Sequence, residues 1–112
     1  MKKVLFYAMN GEKMFFSHIL MNALDLLADG VESAIIFEGA SVQLIPLFEE
    51  EKNLLYLKAK EAGLIAGFCL ACSKVMEVRE ACLASGLPAL SDMFGHAGFK
   101  AYLVDGYEIV SM

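Results

Sequence analysis

Apolar residues along this chain gather in short, nearly unbroken runs that alternate with longer stretches at helical spacing. Lys3 to Met9, with Val, Phe and Tyr, is the first run, and Asn10-Gly11 closes it, the pattern of a strand buried on both faces. From Glu12 to Ala28, Phe15, Ile19, Met21, Leu24, Leu26 and Leu27 cover a broad helical face that Asp29-Gly30 stops. Val31 to Phe37 repeats the strand pattern and Glu38-Gly39-Ala40-Ser41 breaks it. The stretch from Val42 to Ala62 is helical but holds Pro46, and proline costs about 3 kcal/mol inside a helix. A short helix to Ile45 or a kink is therefore predicted, then a main helix from Leu47 to a stop at Gly63. Leu64 to Phe68 is a third strand, Cys69 to Cys72 a turn, Ser73 to Ala84 a helix stopped by Ser85-Gly86, and Pro88 to Leu90 a short fourth strand.

The tail reads two ways. Asp105-Gly106 between Tyr102-Leu103-Val104 and Tyr107-Glu108-Ile109-Val110 is a hairpin signal, yet Phe94, Ala97, Ala101 and Val104 fall at helical spacing. The favoured reading is a helix from about Ser91 to Asp105, capped by Gly106, then a last strand from Tyr107 to Ser111. Strands alternating with helices through short loops imply right-handed βαβ crossovers. The predicted class is therefore α/β, a three-layer sandwich with a mostly parallel sheet of about five strands, formed by one domain over residues 1–112.

Composition narrows the setting. With 58% apolar residues among 112, a small domain leaves much apolar surface uncovered, which predicts a homo-oligomer. No apolar run reaches the roughly 18 residues of a membrane span, and Met1 to Phe6 starts like a signal peptide without a cleavage site. A net charge of −5 with nine Lys and Arg and no basic cluster argues against nucleic acid as a partner. Three cysteines, an odd number without an export signal, predict reduced thiols in the cytoplasm. No membrane association is expected.

Cys69-x-x-Cys72 stands where a buried strand hands over to a helix, at the sheet end where such folds carry their ligand sites. A thiolate at a helix N-terminus gains from unpaired amides and the helix dipole, which lowers its pKa below about 8.5. Cys72 is thereby the candidate nucleophile, although apolar Phe68, Leu70 and Val75 nearby oppose that shift. The plain alternative makes both cysteines small apolar fillers. A zinc site needs two more ligands, and Cys82, His96 and His18 come at irregular spacings. No metal or other cofactor is expected. Thioredoxin-like chemistry is disfavoured because the pair follows the third strand.

Gly67-Phe68-Cys69-Leu70-Ala71-Cys72-Ser73, the Ser85-Gly86 stop and the tail from Gly95-His96 to Asp105-Gly106-Tyr107 resemble the DsrE-like (DsrE/DsrF/TusD-type) family of small sulfur-relay proteins, over nearly the whole chain. The resemblance implies a compact α/β fold, a trimer or hexamer, and a cysteine at this turn that carries sulfur. On Ala71-Cys72-Ser73 it makes Cys72 the acceptor of a sulfane sulfur as a persulfide, taken from a donor protein and passed to an acceptor protein, a sulfurtransferase reaction. Cys69 would then be a resolving thiol, and His96 a proton donor or acceptor. The alternatives are a non-catalytic oligomeric module with structural or metal-binding cysteines, and a dithiol redox protein alternating at Cys69 and Cys72.

Other residues have plainer readings. Cys82 belongs to the core and His18 to a surface or interface of the first helix. Glu38 leaves the sheet at the same end as Cys72 and either lines the pocket or simply terminates the strand, the second being the favoured reading. Asn10-Gly11 lacks the glycine spacing of a phosphate loop, and Glu49-Glu50-Glu51-Lys52 is a solvated patch near a helix start.

Overall fold

The computed structural model describes residues 2–112. Five strands, β1 (Lys3–Ala8), β2 (Glu32–Phe37), β3 (Ile65–Cys69), β4 (Ala89–Leu90) and β5 (Tyr107–Ser111), pair in the order β4-β3-β2-β1-β5, and every pairing is parallel. The mostly parallel sheet that the sequence predicts is thus wholly parallel, and helices flank it. The strands run as predicted to within a residue or two, because β1, β2 and β3 are apolar on both faces and only a parallel interior accepts such runs.

The connections β1–β2, β2–β3 and β3–β4 all step in one direction, so right-handed crossing places their helices on one face of the sheet. The β4–β5 connection returns to the far side of β1 and covers the opposite face with a loop and one short helix. The thick layer begins with α1 (Lys13–Ala28), whose Phe16 stacks on Phe37 of β2 with ring centroids 4.4 Å apart. Phe48 and Tyr56 extend this aromatic group, and all four rings are fully buried.

Three helical predictions change. The stretch after β2 is a 3-10 helix (Gly39–Gln43) followed by α2 (Leu44–Glu51) and α3 (Leu54–Glu61), not one main helix from Leu47. Pro46 is accepted as the third residue of α2, where an α-helix has no intrahelical partner for the missing N–H. Lys52 breaks the run in the left-handed region (φ 52°), and Asn53 caps α3 by accepting from the Tyr56 N–H at 3.0 Å. The helix expected over Ser73–Ala84 starts three residues early, as α4 (Leu70–Val75), and Glu77 (φ 60°) separates it from α5 (Arg79–Ala84). The helix expected over Ser91–Asp105 shrinks to α6 (Lys100–Val104), because a tight turn at residues 93–96 consumes its first part. There is no hairpin at Asp105-Gly106, since β5 pairs with β1 instead.

Glu49 ties the helices of the thick layer together. Its Oε2 accepts from the Tyr56 hydroxyl at 2.6 Å and from Lys60 Nζ at 2.7 Å, while Lys60 also donates to the Ser85 carbonyl at the end of α5. Burial alone would raise the Glu49 pKa, but the bonds from Lys60 and Tyr56 outweigh it and hold the carboxyl below its usual range. A depressed carboxyl stabilises the fold above its unfolded pKa, and that contribution disappears as pH falls through the native value. Glu49→Gln is expected to cost about 1–2 kcal/mol at neutral pH, with the gap to wild type closing in acid, as read by urea denaturation across pH.

Gly67 fixes the spacing of the β3–β4 pair. With φ at 155°, a Cβ on this residue would lie 2.4 Å from the Pro88 carbonyl oxygen and 2.9 Å from Leu90 Cγ. That carbonyl accepts from the Phe68 N–H at 3.0 Å, so the strand cannot back away without losing the bond. Gly67→Ala is expected to lower stability by about 3 kcal/mol, and an unchanged denaturation midpoint would show that β4 yields freely.

Candidate functional site

The parallel sheet delivers several side chains to one edge. Phe37 of β2 is in register with Phe68 of β3, so the next residues, Glu38 and Cys69, leave the sheet side by side. Tyr7, near the end of β1, lies one strand further along, and its hydroxyl is shared between Glu38 Oε2 (3.2 Å) and the Ala97 carbonyl (2.6 Å). Burial and the neighbouring Glu38 push the Tyr7 pKa up, keeping the hydroxyl a donor.

Cys69 is the residue before α4 and is fully buried, and its Sγ accepts from the Cys72 N–H at 3.3 Å. Cys72 sits within the helix rather than in a turn before it. It is 7% exposed, and its thiol donates to Glu38 Oε1 at 2.8 Å while its sulfur accepts from the Gly39 N–H at 3.2 Å. The helix-end amide thus serves Cys69, and the amide serving Cys72 comes from the loop after β2. Of the two opposing effects on the Cys72 pKa that the sequence left open, burial prevails over the helix end. Burial first, then hydrogen bonds with Cys69 and Glu38, pushes the thiol far up, and the Gly39 amide offsets only part of this.

His96 arrives from the other face. Met93 and His96 exchange backbone hydrogen bonds, both 2.8 Å, around Phe94 (φ 52°) and Gly95 (φ 88°), a two-residue turn with both central residues in the left-handed region. The Gly95 carbonyl accepts from the Ala71 N–H at 3.1 Å and docks the turn on α4. His96 Nδ1 thereby lies 3.2 Å from Cys69 Sγ, 3.4 Å from Cys72 Sγ and 3.5 Å from Glu38 Oε1. Its ring is 42% exposed and forms the open side of the cluster.

The structure therefore brings together Cys69, Cys72 and His96, the three residues singled out in the sequence, and adds Glu38, which follows the end of β2 and also lines the cluster, the less favoured of its two sequence readings. One metal-ligating atom from each of these four lies within 4.8 Å of the others. Tyr7 and Gly39 complete the surround and went unrecognised, because nothing in a strand interior or a loop glycine marks either. The one usable signal was that Glu38 follows β2 at the same sheet end as the cysteines. Cys82 is fully buried as expected, donates to the Val42 carbonyl, and has its pKa pushed up to about 11 by burial. His18 is exposed on α1, away from the cluster.

No family model matches the chain. Uncharacterized protein MJ0733 of Methanocaldococcus jannaschii is 32% identical over 98 residues, spanning 85% of this chain and 78% of the archaeal protein. The solved structure of a conserved protein of unknown function, BT1422 from Bacteroides thetaiotaomicron, superposes with a TM-score of 0.77 at 23% identity, covering 99% of this chain and 95% of that one. The second likeness concerns the fold alone. Among the described residues no helix is long and apolar enough to cross a membrane.

Proposed function

The chain belongs to the family of the uncharacterized protein MJ0733, and from the residues gathered at its cysteine turn we propose that it is a sulfur carrier of DsrE type that accepts sulfane sulfur on Cys72. One observation carries the reading: the Cys72 sulfur lies against a proton acceptor, Glu38 Oε1 at 2.8 Å, and an amide donor, Gly39 N–H at 3.2 Å, beside a second thiol. The Cys72 thiol passes its proton to Glu38 as its sulfur attacks the outer sulfur of a donor persulfide. The donor's S–S bond breaks, the donor leaves as a thiol, and Cys72 holds the persulfide. Attack by an acceptor thiol on the outer sulfur reverses the exchange and restores Cys72. If Cys69 attacks the inner sulfur instead, hydrogen sulfide leaves and a Cys69–Cys72 disulfide remains, with the two cysteines oxidised and the sulfane sulfur reduced.

Exposed Met14, Leu54, Val75, Phe94 and Val104 support a homo-oligomer, and the reduced thiols suit the cytoplasm. Intact mass spectrometry after incubation with polysulfide tests the reading. One added sulfur per chain is expected, reversible by reductant, absent in Cys72→Ser and retained in Cys69→Ser. No mass gain in the wild type, or a gain that persists in Cys72→Ser, would overturn it. The second reading, a dithiol redox pair, is favoured by His96 Nδ1 bridging both sulfurs. A disulfide that equilibrates with the glutathione couple, without any persulfide, would select it.

A further inference from the structure

We infer that Glu38, Cys69, Cys72 and His96 form a tetrahedral site for one zinc ion. The inference is independent of the persulfide reading. Zinc bonds of about 2.0–2.3 Å place tetrahedral ligand atoms roughly 3.3–3.8 Å apart. The cluster shows 3.2 Å between Cys69 Sγ and His96 Nδ1, 3.4 Å between Cys72 Sγ and His96 Nδ1, and 3.5 Å between His96 Nδ1 and Glu38 Oε1. Cys72 Sγ and Glu38 Oε1, at 2.8 Å, share a proton that an ion would replace, letting them part by about an ångström. Two sulfurs, one imidazole nitrogen and one carboxylate oxygen is a donor set that tetrahedral zinc accepts.

The surroundings suit a cation better than they suit vacant side chains. Glu38 is 5% exposed, yet among the described residues no Lys or Arg pairs with it, and its ionic neighbour is His96. Carboxyl and sulfur atoms packed together without a fixed positive charge are costly to bury, and a divalent ion removes that cost. The outer hydrogen bonds that hold metal ligands in place are already present. Tyr7 donates to the second oxygen of Glu38, the Gly39 N–H to Cys72 Sγ and the Cys72 N–H to Cys69 Sγ. The partly exposed His96 ring provides the entry side. A bound ion and a persulfide compete for the same Cys72 sulfur.

Reduced full-length protein, stripped of metal with a chelator, is titrated with cobalt(II) and then zinc(II). One ion per chain is expected, with intense visible bands of a tetrahedral cobalt site, near-ultraviolet sulfur-to-cobalt charge transfer, and displacement by one equivalent of zinc. Cys69→Ser, Cys72→Ser, His96→Ala and Glu38→Gln should each weaken binding at least about a hundred-fold, and Tyr7→Phe about ten-fold. Weak six-coordinate bands, absent charge transfer, or affinity unmoved in Cys72→Ser would overturn the site. If a variant fails to fold, X-ray absorption of the wild-type zinc form decides: two sulfur and two nitrogen or oxygen neighbours support the site, and any other set rejects it. Sulfur loading is measured on the metal-free protein, so either reading can fail without the other.

Discussion

In metal-free protein, Cys72 is expected to react with iodoacetamide at neutral pH at least about a hundred-fold more slowly than a free thiol, whose pKa is about 8.5. Its thiol is pushed far above that value by burial, by Cys69 and by Glu38. Below a pKa the thiolate fraction rises about ten-fold per pH unit, so the rate should keep climbing through the range where a free thiol levels off. Glu38→Gln removes the negative neighbour that helps hold the thiol pKa up and should speed alkylation by the pre-formed thiolate, whereas the proposed persulfide exchange, which uses Glu38 as proton acceptor, should slow. Burial, the larger cause, persists, so the variant should remain slower than a free thiol. Peptide mapping of the alkylated residue separates Cys72 from Cys69 and Cys82. A wild-type rate equal to that of glutathione would contradict this account of the pocket.

Phe16→Ala is expected to cost about 3–5 kcal/mol, a large share of the roughly 5–15 kcal/mol that holds a domain together. Phe16 is fully buried, stacks on Phe37 and lies 5.9 Å from Phe48, so its removal leaves a void between α1, β2 and α2. Phe16→Leu fills part of the void and should cost less. Denaturant unfolding measures both, and a loss below about 1 kcal/mol for alanine would mean that the helices collapse into the space. Phe37 immediately precedes Glu38, so Phe16→Ala should also loosen the sulfur pocket and raise Cys72 alkylation.

The strands were legible because a sheet covered on both faces leaves a local mark, seen in Val4–Ala8, Ala34–Phe37 and Ile65–Phe68. The helix breaks at Lys52 and Glu77 were not, because neither is the glycine or asparagine that usually marks a left-handed residue. Asn53 was a readable cap, hidden by the apolar periodicity running through it. The tail misled for a different reason: Phe94 and Ala97 do have helical spacing, but Phe94-Gly95 forms a turn held by tertiary contact with α4. At the site, Cys69 and Cys72 could be read from sequence since one strand and one helix supply both. Glu38 and Tyr7 meet them only through the lateral order of strands, and the adjacency of Phe37 and Phe68 follows from pairing.

The return path of the chain after β4 has a consequence for biosynthesis. Tyr7, Glu38 and both cysteines emerge from the ribosome well before His96 and Ala97, and β5 must still find its place beside β1. A nascent chain therefore holds its two site cysteines and Glu38 together before their open side is closed, and the imidazole is the last of the four groups to arrive, when the turn at residues 93–96 docks on α4.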